Sequence, residues 1–173
     1  MKILVFSDSH QKSNYMKEAI DYNLESGDID CIFHLGDGVS DLEGLTLRIP
    51  ICYVDGNYEE YVTNYLSRKN LRNDAVLDLG GFKFFLTHGH RYGVKSDLAP
   101  ARVAARRAGA DVLIYGHTHE QFYDFVKAES EDGRGLHVFN PGSISRPRDN
   151  LFSYGIIEIE DGEIKFSHES VLP

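Results

Sequence analysis

Two pairs of polar residues stand two positions apart in this sequence, and each pair follows an apolar run typical of a buried strand. Asp8 and His10 come after the first run, and His117 and His119 come after a later one. Side chains two positions apart in an extended chain point the same way, so each pair can reach one centre. Carboxylate and imidazole groups are common ligands of transition metals. The spacing therefore indicates a metal site.

Three more segments bring side chains of the same kind to the end of an apolar run. They carry a carboxylate, an amide and two imidazoles, at Asp37, Asn57, His88 and His90. Strand ends in an α/β sheet converge on one crevice, so we expect these residues to meet the two pairs. The nitrogen and oxygen ligands then available are Asp8, His10, Asp37, Asn57, His88, His117 and His119.

This mixed set of seven side chains suits Mn²⁺, Fe, Zn²⁺, Ni²⁺ or Co²⁺ better than Ca²⁺ or Mg²⁺. It is too large for one tetrahedral ion, whereas two ions that share a bridging carboxylate would use it economically. We therefore expect two metal ions.

The elements that must position these residues are predicted to alternate between strands and helices in the first part of the chain. From residue 121 onward, only strands are predicted. Periodicity predicts helices at 13–26, which ends at Gly27, and at 96–108, with Ser96 as N-cap and Arg106 and Arg107 as a solvated last turn. Leu24 is expected on the buried face of the first helix. A Gly-Gly turn predicts a hairpin of 75–79 and 83–87. The other predicted strands are 2–7, 31–35, 51–55, 112–115, 121–126, 136–139, 153–160 and 163–168.

These elements favour an α/β fold, a four-layer α/β/β/α sandwich in which two mixed sheets pack face to face with helices outside. The length of 173 residues supports a single domain over 1–173. Apolar residues make up 42% and charged residues 26%, an ordinary globular composition.

The net charge of −9 excludes non-specific binding to nucleic-acid backbones through the general field. Two cysteines, Cys31 and Cys52, exclude a disulfide scaffold and a cysteine-rich zinc site. Because no apolar run is long enough for a signal peptide or a membrane span, we expect a cytoplasmic protein. If the chain assembles, a homodimer is expected.

Five short blocks resemble those of the calcineurin-like metallophosphoesterases, in the order of that family. They are Asp8-Ser9-His10, Gly36-Asp37, Gly56-Asn57, His88-Gly89-His90 and Gly116-His117-Thr118-His119. The resemblance spans residues 3–148. The run 140–143, followed by Arg146-Pro147-Arg148, is similar to the small bacterial and archaeal phosphodiesterase branch.

The resemblance implies a metal-dependent phosphodiesterase with a dinuclear centre, in which a hydroxide between the ions is the nucleophile. It implies that one ion is held by Asp8, His10, Asp37 and His119, and the other by Asp37, Asn57, His88 and His117. Manganese is the expected metal, with Ni, Zn, Fe and Co as alternatives. The charge of the ions would let an acidic protein bind a small phosphodiester or nucleotide-type substrate, and the preference for diesters comes from the resemblance alone.

One position departs from the family pattern. Many members carry His after the Gly-Asn pair, where it helps to protonate the leaving group, and the small phosphodiesterases often carry Cys. This chain has Tyr58, followed by Glu59. A phenol has an ordinary pKa of about 10 and is a poor acid at neutral pH. Either the leaving group is a good one, or another group supplies the proton, and His90 is the candidate.

Two other functions stay open. One is a protein-binding scaffold of the same fold, resembling the retromer subunit, with a weak or inactive metal site; the other is a dinuclear hydrolase of amides or carboxylic esters. Retention of the full ligand set favours the esterase. Among the other polar residues, we interpret His34, His137 and His168 as structural, while Arg146 and Arg148 either reach a phosphate or pair with acidic side chains.

Overall fold

The computed structural model of the chain describes residues 1–45, 48–66, 71–128 and 134–171. Its strands are β1 Lys2–Phe6, β2 Cys31–His34, β3 Ile51–Tyr53, β4 Asp74–Leu79, β5 Phe82–Thr87, β6 Val112–Tyr115, β7 Gln121–Val126, β8 Leu136–Pro141, β9 Ser153–Glu160 and β10 Glu163–Ser170. Its α-helices are α1 Ser13–Ser26, α2 Asn57–Leu66 and α3 Ala99–Arg107. Short 3-10 helices follow β2 and β5, at Val39–Gly44 and His90–Tyr92.

The strands form two sheets of five. The first sheet has the order β10-β9-β1-β2-β3, and the second has the order β4-β5-β6-β8-β7. In each sheet three neighbouring strands are parallel, β1, β2 and β3 in one and β5, β6 and β8 in the other, and the remaining strands pair antiparallel. Both sheets are therefore mixed, and the predicted α/β sandwich is confirmed.

Strand β1 shows why the first apolar run is continuous. Ile3 and Val5 belong to the core between the two sheets, together with Phe84 of β5. Leu4 belongs to a second core in which Met16 of α1 packs on the outer face of the first sheet. All five side chains are completely buried, and burial of each aliphatic or aromatic side chain contributes about 1.5–3 kcal/mol. A strand covered on both faces needs apolar residues at every position.

Helix α3 covers the outer face of the second sheet, but it begins later than the sequence predicts. It starts at Ala99, and Ser96 is not its N-cap. The N–H of Ser96 instead donates to the carbonyl of Gly93, because residues 93–97 form a turn of their own. Asp97 accepts the N–H of Ala99, and a proline in the first helical turn fixes the backbone where the helix begins.

The other helices also differ from expectation. Leu24 of α1 is 44% exposed, because Met16, Ile20 and Asn23 already fill the face that meets the sheet. Helix α2 has no counterpart among the predicted elements, yet it begins at a predicted site residue, Asn57. Within the described ranges, no helix is long and apolar enough to cross a membrane.

Candidate metal centre

The loops that carry the predicted site residues meet at the carboxyl ends of the parallel strands. Backbone hydrogen bonds join them directly. The N–H of Asp8 donates to the carbonyl of Gly36 at 3.0 Å, which ties the loop after β1 to the loop after β2. The N–H of Gly116 donates to the carbonyl of His88 at 3.2 Å, which ties the loop after β6 to the loop after β5. The N–H of His117 donates to Oδ2 of Asp8 at 3.1 Å and so links the two sheets, which both contribute to the crevice expected at the strand ends.

Six of the candidate metal ligands form two groups of three. In each group, one ligand atom per residue lies within 4.8 Å of the others. We call Asp8, His10 and His119 the outer group. We call Asp37, His88 and His117 the inner group. Two members of the inner group are buried, whereas the outer group has one buried member and two partly exposed histidines.

Asp37 lies between the two groups. Its Oδ2 atom is 3.9 Å from Nε2 of His10, and its Oδ1 atom is 3.6 Å from Nε2 of His88. Each carboxylate oxygen therefore faces one group, which is the placement that a bridging ligand requires. Asn57 joins the inner group, because its Oδ1 atom lies 3.2 Å from the same nitrogen of His88.

Backbone carbonyls orient one imidazole in each group. Nδ1 of His88 lies 2.6 Å from the carbonyl oxygen of Leu35, and Nδ1 of His119 lies 2.6 Å from that of Arg146. Since a carbonyl can only accept, each Nδ1 carries the hydrogen. The Nε2 atom of each neutral ring then offers a lone pair to the centre, which is the usual arrangement of metal-binding histidines.

The polar atoms of the outer group fit a divalent cation. Nε2 of His119 is 3.1 Å from Oδ1 of Asp8, without the direction of a hydrogen bond. Oδ1 of Asp8 and Nε2 of His10 are buried and have no hydrogen-bond partner in the described part of the chain. Leaving such atoms unpaired is costly unless a cation satisfies them. Nitrogen and carboxylate ligands suit transition-metal ions.

Burial and neighbouring charges shift the pKa values of the candidate ligands in different directions. Burial opposes ionisation of Asp8, but the adjacent imidazole of His119 and the field of His88 outweigh it and hold the pKa of Asp8 well below its ordinary value. Burial lowers the pKa of His117 to about 3, and it also lowers the pKa of His10. Burial acts in the same direction on His119, but the Asp8 carboxylate outweighs it and raises that pKa.

Backbone strain is concentrated at the same residues. Left-handed φ angles occur at Asp8 (54°), His10 (43°), Asp37 (55°), His117 (69°) and His119 (61°). Such angles are uncommon for residues with a Cβ and cost on the order of 1–3 kcal/mol each. Only three other non-glycine residues in the described ranges have them. The fold therefore keeps a strained backbone where it places the predicted ligands.

A segment near the end of the chain supports the outer group. The hydroxyls of Ser143 and Ser145 each donate to the backbone carbonyl of Asp8 at 2.9 Å. Arg146 supplies the carbonyl that orients His119. Its own side chain is exposed, and Arg148 lies 4.0 Å from Glu120.

The two candidate proton donors lie on different sides of the centre. The ring of Tyr58 meets His10 edge-on at 6.4 Å between centroids, and its hydroxyl accepts a hydrogen bond from Gln11. The ring of His90 lies 5.2 Å from that of His88. Nε2 of His90 is 3.0 Å from Oε1 of Glu60, but neither ring nitrogen has a partner with hydrogen-bond geometry. His90 is therefore a partly buried imidazole whose nitrogens have no hydrogen-bond partner in the described part of the chain.

His34 is completely buried, as expected of a structural histidine. Its Nδ1 atom accepts the N–H of Gly36 at 3.2 Å, so Nε2 carries the hydrogen and faces the hydroxyl of Ser9 at 3.2 Å. Burial lowers the pKa of His34 to about 4. The ring joins the loop of Asp8 and His10 to the loop of Asp37. His137 and His168, which we also interpret as structural, pack against the rings of Phe125 and Phe139.

Sequence reasoning missed the role of Glu59, which it named only as the neighbour of Tyr58. Burial opposes ionisation of Glu59, but hydrogen bonds from backbone N–H groups, first that of Gly56, outweigh it and lower the pKa of the carboxyl. The sequence signal was a Glu three residues after the residue that precedes a helix, a pattern of helix capping. That signal was not visible because α2 itself was not predicted.

Comparison with known proteins identifies the family to which this chain is similar. A sequence model of the calcineurin-like phosphoesterase superfamily domain matches residues 1–162. The probable metallophosphoesterase YsnB of Bacillus subtilis is 30% identical over 162 residues, which cover 93% of this chain and 86% of that protein. The phosphodiesterase MJ0936 of Methanocaldococcus jannaschii is 29% identical in an alignment that covers 95% of this chain and 97% of that protein.

Solved structures share the architecture. A crystal structure of a predicted phosphoesterase from Streptococcus pneumoniae superposes with a TM-score of 0.73 and 27% identity, covering 98% of this chain and 88% of that one. A double mutant of Vps29 from Entamoeba histolytica superposes with a TM-score of 0.70 and 22% identity, covering 99% of this chain and all of that one. The second likeness concerns the fold alone.

Proposed function

The chain belongs to the calcineurin-like phosphoesterase superfamily, and we propose that it is a phosphodiesterase with a dinuclear metal centre. The observation that carries the proposal is the meeting of two ligand groups at one carboxylate, Asp37, whose two oxygens face opposite groups. The name of the relative MJ0936, a phosphodiesterase, supports the choice of a diester substrate. When bound, two such ions supply a deprotonated water as the nucleophile and positive charge for the phosphoryl oxygens.

The proposed ligands follow the two groups. Asp8, His10, Asp37 and His119 would hold one ion. Asp37, Asn57, His88 and His117 would hold the other. Nitrogen and oxygen ligands in this proportion suit Mn²⁺, and Ni²⁺, Zn²⁺, Fe or Co²⁺ are the alternatives. The carbonyls of Leu35 and Arg146 keep two of the histidines turned toward the centre.

We propose that His90 is the general acid that protonates the leaving group. As the bond between phosphorus and the leaving oxygen breaks, the His90 imidazolium would give its proton to that oxygen and become neutral. Oε1 of Glu60, which also pairs with Arg91, lies 3.0 Å from Nε2 of His90. The hydroxyl of Tyr58 accepts from Gln11, so its own hydrogen is free for a substrate oxygen. Tyr58 would orient the substrate as a hydrogen-bond donor.

We also propose a substrate size, a domain organisation, a cellular location and an oligomeric state. A small phosphodiester or nucleotide-type substrate fits a protein of net charge −9, since a larger polyanion would be repelled outside the centre. A single domain over 1–173 is proposed. The free cysteines Cys31 and Cys52 are consistent with a reducing, cytoplasmic location. A homodimer stays a prediction, which sedimentation of the purified protein would check.

The test of this function is a panel of chromogenic substrates with Mn²⁺-loaded protein. A bis-aryl phosphate should be hydrolysed faster than the aryl monoester, and an aryl amide and carboxylic ester should be left intact. Replacement of His90 by Gln should slow diesters with poor leaving groups by roughly 10²-fold and activated ones much less. Cleavage of the amide or carboxylic ester instead would favour the hydrolase of non-phosphate bonds.

The alternative is a protein-binding scaffold of the same fold, resembling the retromer subunit. Tyr58, at a position where family members carry His or Cys, is the feature that favours it. Retention of all seven proposed ligands favours the enzyme. Protein that binds two ions and hydrolyses no member of the panel would reverse this choice.

A further inference from the structure

We infer that Glu59 is a positioning residue, whose carboxylate fastens the loop of Asp37 to the loop of Asn57 and so sets the affinity of the inner group for its ion. This inference rests on the proposed metal centre. It concerns a residue that contacts none of the proposed ligand atoms through its carboxylate.

The carboxylate of Glu59 accepts hydrogen bonds from four backbone N–H groups. Its Oε2 atom accepts from Asp37 and Gly56, both at 2.8 Å. Its Oε1 atom accepts from Gly38 at 2.7 Å and from Val39 at 3.0 Å. Only the bond to Gly56 belongs to the cap of the helix that carries Glu59. The other three cross to the loop after β2, so helix capping alone does not account for the contact.

Only a carboxylate satisfies this ring of donors. A Glu carboxylate has acceptors alone, and a negative charge strengthens each bond from an N–H group. A Gln amide of the same size would turn its NH₂ group toward two backbone donors. A pair of N–H groups would then lose their acceptor, and each buried donor left unsatisfied is costly.

The two loops that Glu59 joins also pack directly against each other. A Cβ on Gly36, which has a φ of 91°, would lie 2.5 Å from the backbone nitrogen of Gly56. A Cβ on Gly56 would overlap Oδ1 of Asp37. That same oxygen accepts the N–H of Tyr58 at 2.7 Å. Movement of either loop would therefore turn the Asp37 carboxylate.

The consequence is a specific effect on the inner group. Asp37 and Asn57 lie on the two loops that Glu59 joins, whereas the histidines of the inner group come from the second sheet. Supporting contacts of this kind are worth about 10–100-fold in metal affinity. Loss of the Glu59 contact should weaken the inner ion by that factor and the outer ion less, because Asp37 alone is shared.

The experiment is a calorimetric titration of metal-stripped protein with Mn²⁺, with free Mn²⁺ counted by electron paramagnetic resonance. For Glu59→Gln we expect one of the two ions to bind about 10–100-fold more weakly. The matched control is Glu25→Gln on α1, which removes the same charge at an exposed position that makes no contact with the centre. The control should bind both ions as the wild type does.

A second variant keeps the inference open to refutation if Glu59→Gln does not fold. Glu59→Asp retains the charge but is one methylene shorter, and it should fold and bind the inner ion with intermediate affinity. Wild-type affinity for both ions in the folded variant, with only a lower unfolding temperature, would overturn the inference. Wild-type protein that binds fewer than two ions would overturn the proposed centre itself.

Discussion

The outer and inner groups use the same kinds of ligand but are supported by different parts of the chain. The inner group is held by residues from the first part of the chain, through the carbonyl of Leu35 after β2 and the carboxylate of Glu59 on α2. The outer group depends on a distant segment, in which Ser143 and Ser145 hold Asp8 across more than 130 residues of sequence. One carboxylate, Asp37, connects the two.

This difference shows how one fold builds two sites of unequal exposure. Each group takes ligands from both sheets, since Asp8 and Asp37 follow strands of the first sheet while His88 and His119 follow strands of the second. An ion in either group would therefore tie the sheets together. The inner group is deeper, so its ion should be bound more tightly and lost last on chelation.

The largest expected effect comes from the residue that both groups share. Asp37→Asn removes the charge that faces both ions, and the stabilisation lost is several kcal/mol. We predict a fall in kcat/KM of roughly 10³-fold toward a bis-aryl phosphate. Circular dichroism should show an unchanged fold. A variant as active as the wild type after metal loading would remove Asp37 from the centre.

The next effect separates the two groups. His119→Ala and His88→Ala each remove one ligand, and each should reduce the bound Mn²⁺ from two ions to one and activity by roughly 10²-fold. The two metal-free variants should differ in stability, because the side chain of His88 is completely buried and that of His119 is 17% exposed. Urea unfolding of the metal-free proteins should show the larger loss for His88→Ala. Equal losses would contradict the distinction between inner and outer.

Much of this arrangement was readable in the sequence. Strand β1 from Ile3 to Phe6 and strand β6 are continuous buried runs, because both faces of these strands are covered. The runs and the polar residues after them were therefore visible in the sequence. The start of α3 was not, because Ser96 is used by a separate turn. Glu59 could not be assigned a partner either. Three of its four bonds come from a loop about 20 residues away, and no local pattern records such a contact.

A smaller effect concerns His34, which joins the loops of the two groups. Its pKa is about 4 in the folded protein, against an ordinary value of 6.5. As the pH falls below 6.5, the His34 ring takes up a proton in the unfolded chain but not yet in the folded protein. The free energy of unfolding therefore decreases between pH 6.5 and about pH 4. By pH 5 the loss is about 2 kcal/mol.

The measurement is urea unfolding of metal-free protein at pH 7 and pH 5. The wild type should lose more unfolding free energy between these values than His34→Asn, which has no ring to protonate. The same loss in both proteins would show that His34 is not responsible for the acid sensitivity.

The smallest effect tests the distant support of the outer group. Ser145→Ala removes one of the two hydroxyls that hold the carbonyl of Asp8, a hydrogen bond worth about 1 kcal/mol. We predict that the outer ion binds roughly 5-fold more weakly while the inner ion is unchanged. Glu59→Gln should give the opposite pattern. If both variants weaken the same ion, the groups are not supported separately.

The most direct test of the proposed dinuclear centre follows hydrolysis while ions are added back. Metal-stripped protein is titrated with Mn²⁺, and bound ions and the rate toward a bis-aryl phosphate are measured at each step. We expect little activity with one ion bound and a rise in rate that follows occupancy of the second site. Full activity with one ion bound would contradict the dinuclear proposal, and so would the absence of activity in protein that holds two ions.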